Sequence, residues 1–375
     1  MRNFMKNRVI YILFIILFLS GCSKNSNQPQ ITSDLNTHQS ALGFFTETES
    51  GYYLSSGDFF YYSDKDKINF VKLCNKPDCE HKDENCNAYN YGANYDTHFF
   101  NGKLVFPYIK DNETEYKLTI ASKNMDGTDF KIEKELDIDA YRYDGKMHRN
   151  YFVYNLEKYD EGTTDRTSTL YLLDLNHLEQ EPIIIYEYVE TVVDVGVGIY
   201  SPAMIGEYIF FIAKGKVFRY DISSKVLIEI PNYEFGYKGE FYTESGIYQM
   251  NMDNDFYYRD VLTGEVTALM KDDDPLAFGP FFSDGERTYR PNYSYGNMVI
   301  PDENNGVLIY DMEGNRIDFI KYNIPTADQI CFVIAKDKVF VFRRPDNNSI
   351  TSYSYFDKDK IGTDGLEWTD VLLND

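Results

Sequence analysis

Three of the chain's five cysteines and one of its five histidines fall within thirteen residues, Cys74-x4-Cys79-x-His81-x4-Cys86, inside the stretch KLCNKPDCEHKDENC. Three thiolates and one imidazole form a donor set that closes a tetrahedral zinc site, with zinc–sulfur bonds of about 2.3 Å and zinc–nitrogen bonds of about 2.0 Å. Asn75 and Pro77 favour a turn between the first two ligands, as a compact knuckle requires. The spacing differs from that of a standard finger or ribbon. A disulfide among Cys74, Cys79 and Cys86 is the competing reading, because the chain opens like an exported protein and oxidising compartments favour bridges. The odd number of thiols argues against it, since Cys331 sits in the apolar run ICFVI and reads as a small core residue. A structural zinc is therefore the expected cofactor, a disulfide clip the alternative and catalytic redox chemistry a distant third.

Other chemistry is sparse in the sequence. There is no Gly-x-Ser-x-Gly elbow, no His-Glu-x-x-His, no Walker loop and no haem-attaching Cys-x-x-Cys-His, and DVGVGIY carries only the first two glycines of a dinucleotide fingerprint. His38 falls in a polar tether. His98, His148 and His177 occur in DTHFF, KMHRN and LNHLE, which read as surface positions rather than general bases. Carboxylates are abundant, but MDNDFYYRD, KDDDP and DKDKIG do not match a full calcium loop and read as solvated turn acids. A pair of acids for glycan cleavage remains open, because sequence does not show distance.

The elements that must position the cluster are short strands. A unit recurs seven times: an aromatic and aliphatic run, an Asp at a turn, then a second run. The Asp residues are Asp64, Asp126, Asp174, Asp221, Asp260, Asp311 and Asp357, at intervals averaging about 49 residues. Val217, Phe218 and Tyr220, or Leu308, Ile309 and Tyr310, suit a pleated, largely buried surface. The Asp side chain can accept from turn amides, while Gly127, Gly264 and Gly314 can supply positive φ. Four strands of about five residues plus turns fill one propeller blade. Residues 42–375 are therefore expected to form an all-β propeller of seven blades, with six or eight as alternatives. The last segment, LEWTDVLL, is expected to complete a first blade that is short on its N-terminal side, with Trp368 packed between blades. The chain's 34 Tyr and 27 Phe belong mostly to blade cores.

The N-terminus sets the location. Arg2, Lys6 and Arg8 precede an apolar run of eleven residues, 9–19, which has the form of a secretory signal and is too short to span a bilayer. Leu19-Ser20-Gly21-Cys22 resembles the lipobox of bacterial lipoproteins, and that resemblance implies a signal peptide at 1–21 and a diacylglycerol on Cys22. Residues 22–41 then read as a polar, disordered tether. The net charge of −23 becomes −26 once the three signal cations are removed, which disfavours nucleic acid and anionic headgroups as partners. The lipid is the expected membrane contact.

The lipobox, the opening GYYL…DFFYYSD and the segment LCNKPDCEHKDENCNAY together resemble a group of propeller-like lipoproteins of anaerobic Gram-positive bacteria, and more loosely TolB-type and low-density-lipoprotein-receptor-type propellers. The resemblance implies fold and location, and an anaerobic setting that favours metal over disulfide. It implies no reaction. The expected function is a surface-anchored, non-enzymatic module binding a peptide, a glycan or an envelope protein. The alternatives are an extracytoplasmic hydrolase or lyase that works through acidic residues, and an accessory or sensor subunit of a transporter.

Overall fold

A computed structural model describes residues 43–92, 96–111, 116–138, 142–159, 165–191, 199–233, 239–251, 255–271, 282–292, 305–322, 329–344 and 349–373. The expected lipidation site Cys22, the expected tether with His38, KDDDP and most of DVGVGIY lie outside the described residues. Among the described residues, alternation of β-branched and aromatic residues between tight turns yields twenty-eight strands in seven four-stranded sheets, each in simple sequential order. This is a seven-bladed β-propeller. Blades 1 to 7 occupy residues 45–72, 98–137, 142–191, 200–229, 239–271, 282–321 and 329–372.

All seven repeated Asp residues fall at the turn between the third and fourth strands of successive blades. Asp126, Asp174, Asp221, Asp260 and Asp311 each accept one or more backbone amides of that turn at 2.7–3.0 Å. Asp64 instead accepts from the Tyr62 hydroxyl, and Asp357 from Lys338. Gly127, Gly264 and Gly314 all take positive φ, as the turns require.

Strands buried on both faces leave the hydrophobic core between sheets. Among the described residues, the apolar clusters join neighbouring blades, the one in blade 5 reaching blade 6 through Met312. Leu170 and Leu172 of blade 3 meet Ile209 and Phe211 of blade 4, and Phe210 of blade 4 meets Tyr242 of blade 5. Polar contacts cross the same boundaries at the ends of the innermost strands. The His98 ring of blade 2 bonds the Arg149 carbonyl of blade 3 at 2.8 Å, and the His148 ring bonds the Gly206 carbonyl of blade 4 at 3.2 Å.

Among the described residues no strand is exchanged between the first and last blades. The segment expected to complete blade 1 contains the strand Thr369–Leu372, which pairs antiparallel with Ser352–Asp357 and finishes blade 7. A short 3-10 turn, Lys358–Lys360, and the residues after it return the chain directly onto its own sheet. Blade 1 already has a first strand, Phe45–Glu47, and it is its fourth, Val71–Lys72, that is short. Trp368 does pack between blades, at the 6–7 boundary, 4.5 Å from the Tyr322 ring and 4.8 Å from the Phe356 ring. The 7–1 seam is closed by side chains: Phe340 lies 5.4 Å from Phe45 and 5.1 Å from Tyr52, centroid to centroid. Two hydrogen bonds of 2.7 Å join it, from Lys336 N–H to Glu47 and from Ile350 N–H to Ser56 Oγ.

Candidate metal centre

The outermost strand of blade 1 is interrupted. Lys72 pairs with Tyr61, and Leu73 N–H donates to the Phe60 carbonyl at 2.8 Å. The chain then leaves the sheet and returns at residues 88–90. There Phe60 N–H donates to the Ala88 carbonyl at 2.7 Å, Tyr89 bridges antiparallel to Phe59, and Asn90 N–H donates to the Asp58 carbonyl at 2.9 Å. Residues 74–87 are thus an excursion out of one strand. All four candidate ligands lie on it.

Local turns fold the excursion back on itself. Cys79 N–H closes a turn onto the Lys76 carbonyl at 3.3 Å with Pro77 at its second position, where a fixed φ is favourable. His81 takes a left-handed φ of 51°, and Cys86 N–H donates to the Asp83 carbonyl at 2.9 Å. These turns bring the sulfurs of Cys74, Cys79 and Cys86 and a ring nitrogen of His81 within 4.8 Å of one another. His81 Nδ1 is 3.2 Å from Cys86 Sγ. A zinc tetrahedron built on bonds of about 2.3 Å has edges of about 3.8 Å, so the donors already stand close to ligand positions. The cluster could bind a metal ion such as zinc. The three thiols, and Cys331 in the blade 7–1 core, are free.

The surroundings act on the thiols unequally. Burial pushes the Cys74 thiol up, but backbone N–H groups of Lys76 and Asn87 and the neighbouring Cys79 and Cys86 sulfurs outweigh it, leaving its pKa below the free-thiol value. Cys86, 3% exposed, is pushed up to about 12, first by burial and then by the Cys79 and Cys74 sulfurs, against the Ala88 N–H that donates to it. Sulfurs this close cannot all ionise without a cation, and a divalent ion supplies the missing charge.

Blade 2 forms the far wall. The Gly127 turn lies against the excursion, and Asn75 reaches Asp126 at 3.5 Å. Tyr91 stacks on Phe130 at 4.1 Å. Lys123, on the blade 2 strand Tyr116–Asn124, is 1% exposed and donates at 2.7 Å to each of the Asn87 and Tyr89 carbonyls. Sequence reading missed this residue. Its only signal is period-two alternation, which puts it on the same strand face as Ala121, a residue of the blade 1–2 core.

Two histidines expected at the surface are buried, His98 at 4% and His148 at 2% exposure, because they cap the inner strands and reach the next blade's turn. Burial lowers the His98 pKa to about 4 against the opposing Arg149 carbonyl, so the ring is neutral. His177 is exposed beside Glu179, as expected. The described acids of the candidate calcium stretches serve turns and pairs: the Asp255 carboxylate accepts from the Asn251 side-chain amide, and Asp260 from the Leu262 and Thr263 N–H groups. Lys358 of DKDKIG pairs with Asp284 at 2.5 Å on the wall of a cavity of about 700 Å³ between blades 6 and 7.

No protein-family model and no curated protein matches the sequence. Among solved structures the chain is similar to the computationally designed Ika8 protein, at 12% identity over 92% of this chain and 90% of that one, with a TM-score of 0.48. It is also similar to BamB from Moraxella catarrhalis, at 10% identity over 78% and 76% with a TM-score of 0.40. The N-terminal domain of Nup159 is similar at 10% identity over 68% and 74%, again with a TM-score of 0.40. At these values no family assignment follows. The chain is a seven-bladed β-propeller with a three-cysteine, one-histidine cluster that could take a metal ion.

Proposed function

We propose that the chain is a non-catalytic, surface-displayed propeller, anchored by a lipid on Cys22, that binds a peptide, glycan or envelope protein and is braced by one structural zinc on Cys74, Cys79, His81 and Cys86. The observation that carries the reading is the completeness of the donor set. Four protein atoms converge within 4.8 Å on a segment that finishes a blade edge. Structural zinc sites are closed by four protein ligands, whereas catalytic sites keep a position open for water or substrate. The zinc would contribute folding free energy and pin the excursion to blade 2. The cavity between blades 6 and 7 is of a size that suits a small polar ligand.

The test is metal content, free-thiol count and intact mass on protein purified without oxygen. About one zinc per chain is expected, with loss of that zinc in Cys79→Ser. A metal-free protein two hydrogens light, with two thiols missing, would establish a disulfide clip and overturn the zinc. Glycan and peptide binding screens, each hit followed by a turnover assay, test the binding role; product formation would replace it with the hydrolase or lyase reading.

A further inference from the structure

Lys123 is an ammonium with an unusual address. Its Nζ is held by the Asn87 and Tyr89 carbonyls and lies over the rings of Tyr91, Phe130 and Phe60 at 5.3, 5.9 and 6.0 Å. None of these partners is an anion. A buried ammonium normally finds a carboxylate, because leaving its charge uncompensated in a low dielectric is costly. Burial lowers its proton affinity, to a pKa of about 8, and the groups that oppose burial are the sulfurs of Cys86 and Cys74 once they carry charge. Both carbonyls that hold it follow Cys86 closely in the chain, at the point where the excursion rejoins the sheet.

The charge count completes the picture. A divalent ion, three thiolates and a neutral imidazole sum to one negative charge, which a lysine cancels. A trivalent ion in the same ligands is neutral, and the buried ammonium is then unpaired. We propose that Lys123 is the countercharge of the metal centre and a specificity-determining residue that favours a divalent over a trivalent ion. The inference rests on the metal reading above and goes beyond it, by assigning the blade 2 wall an electrostatic part as well as a packing part.

The experiment compares wild-type protein with Lys123→Met and Lys123→Gln, each loaded anaerobically with zinc and, separately, with iron(II). Chelator competition should show zinc held about 10- to 100-fold less tightly in the variants, the usual effect of losing a partner just outside the ligand shell. A purely structural role would weaken both oxidation states of iron alike. The countercharge predicts instead a lower iron(III)/iron(II) potential in the variants, because removing a positive charge relieves the trivalent state. An unchanged potential in a folded, metal-loaded variant would overturn the countercharge while leaving the metal site standing. Wild-type protein that takes up neither metal would overturn the site itself. Should neither variant fold, nitrogen NMR of the lysine side chains in zinc-loaded wild type decides: an Nζ still protonated at pH 9 supports the assignment, and a neutral amine at that pH ends it.

Discussion

His98 shows how a single buried group ties stability to pH. Its ring is neutral in the folded chain, with its pKa lowered to about 4 by burial, whereas an unfolded histidine titrates near 6.5. Between these values the unfolded state binds more protons. The contribution is therefore fully present above about pH 6.5 and is lost as pH falls toward 4, a swing on the order of 3 kcal/mol. Urea midpoints at pH 7.5 and pH 5 should differ more for wild type than for His98→Gln, which keeps a donor for the Arg149 carbonyl but cannot charge. Equal slopes would show that His98 is not the group responsible. At this scale the sequence displayed chemistry but not burial. The members of the Cys74, Cys79, His81 and Cys86 cluster were legible because type and spacing carry the signal. Lys123, His98 and His148 were not, because long-range packing between blades decides whether a polar residue in a short strand is covered.

Among the elements, the Asp turns were readable and the interrupted strand was not. An Asp accepting turn amides is a local event whose residues are all adjacent, so five of the seven turns formed as the residue types require. A two-residue strand such as Val71–Lys72 leaves no periodicity to detect, and its continuation beyond the fourteen-residue excursion 74–87 is visible only through the shared partner Phe60. The excursion depends on a close approach at Gly127. A Cβ there would lie 2.5 Å from the Leu73 carbonyl oxygen and 2.8 Å from that of Asn87, at a φ of 81°. Gly127→Ala should cost about 2 kcal/mol or more, from left-handed strain plus a clash with fixed backbone, and should loosen the metal as well. Gly102→Ala is the control: φ is 77° but the space is open, so only the strain of about 1 kcal/mol is expected. Similar thermal and chelator profiles for the two variants would deny that the Gly127 turn clamps the excursion.

For the whole molecule, repeat counting favoured seven blades over six or eight, and seven form, but it misplaced the closure of the ring. Hairpin patterns report which strands are neighbours along the chain, and exchange between the first and last blades leaves no such trace. Closure here rests on side chains, with Phe340 at its centre. Phe340→Ala should cost about 3–5 kcal/mol and open the seam first. Hydrogen exchange should then quicken in the strands Phe45–Glu47 and Lys338–Arg344 ahead of the rest. Phe210→Ala, a similar truncation at the blade 4–5 boundary, should leave that seam protected. Matching exchange maps would mean that the ring fails as one unit.

Because every sheet is built from consecutive strands, the order of synthesis is also an order of assembly. A growing chain has all four residues of the Cys74–Cys86 cluster by residue 86 and both walls around them by residue 137, more than half the polypeptide before the last blade begins at residue 329. The first two blades can therefore serve as a finished starting block on which later sheets stack one at a time. The two ends of the row, separated by nearly the whole sequence, meet only in the final step, a single long-range event on which the folding time of the circle depends.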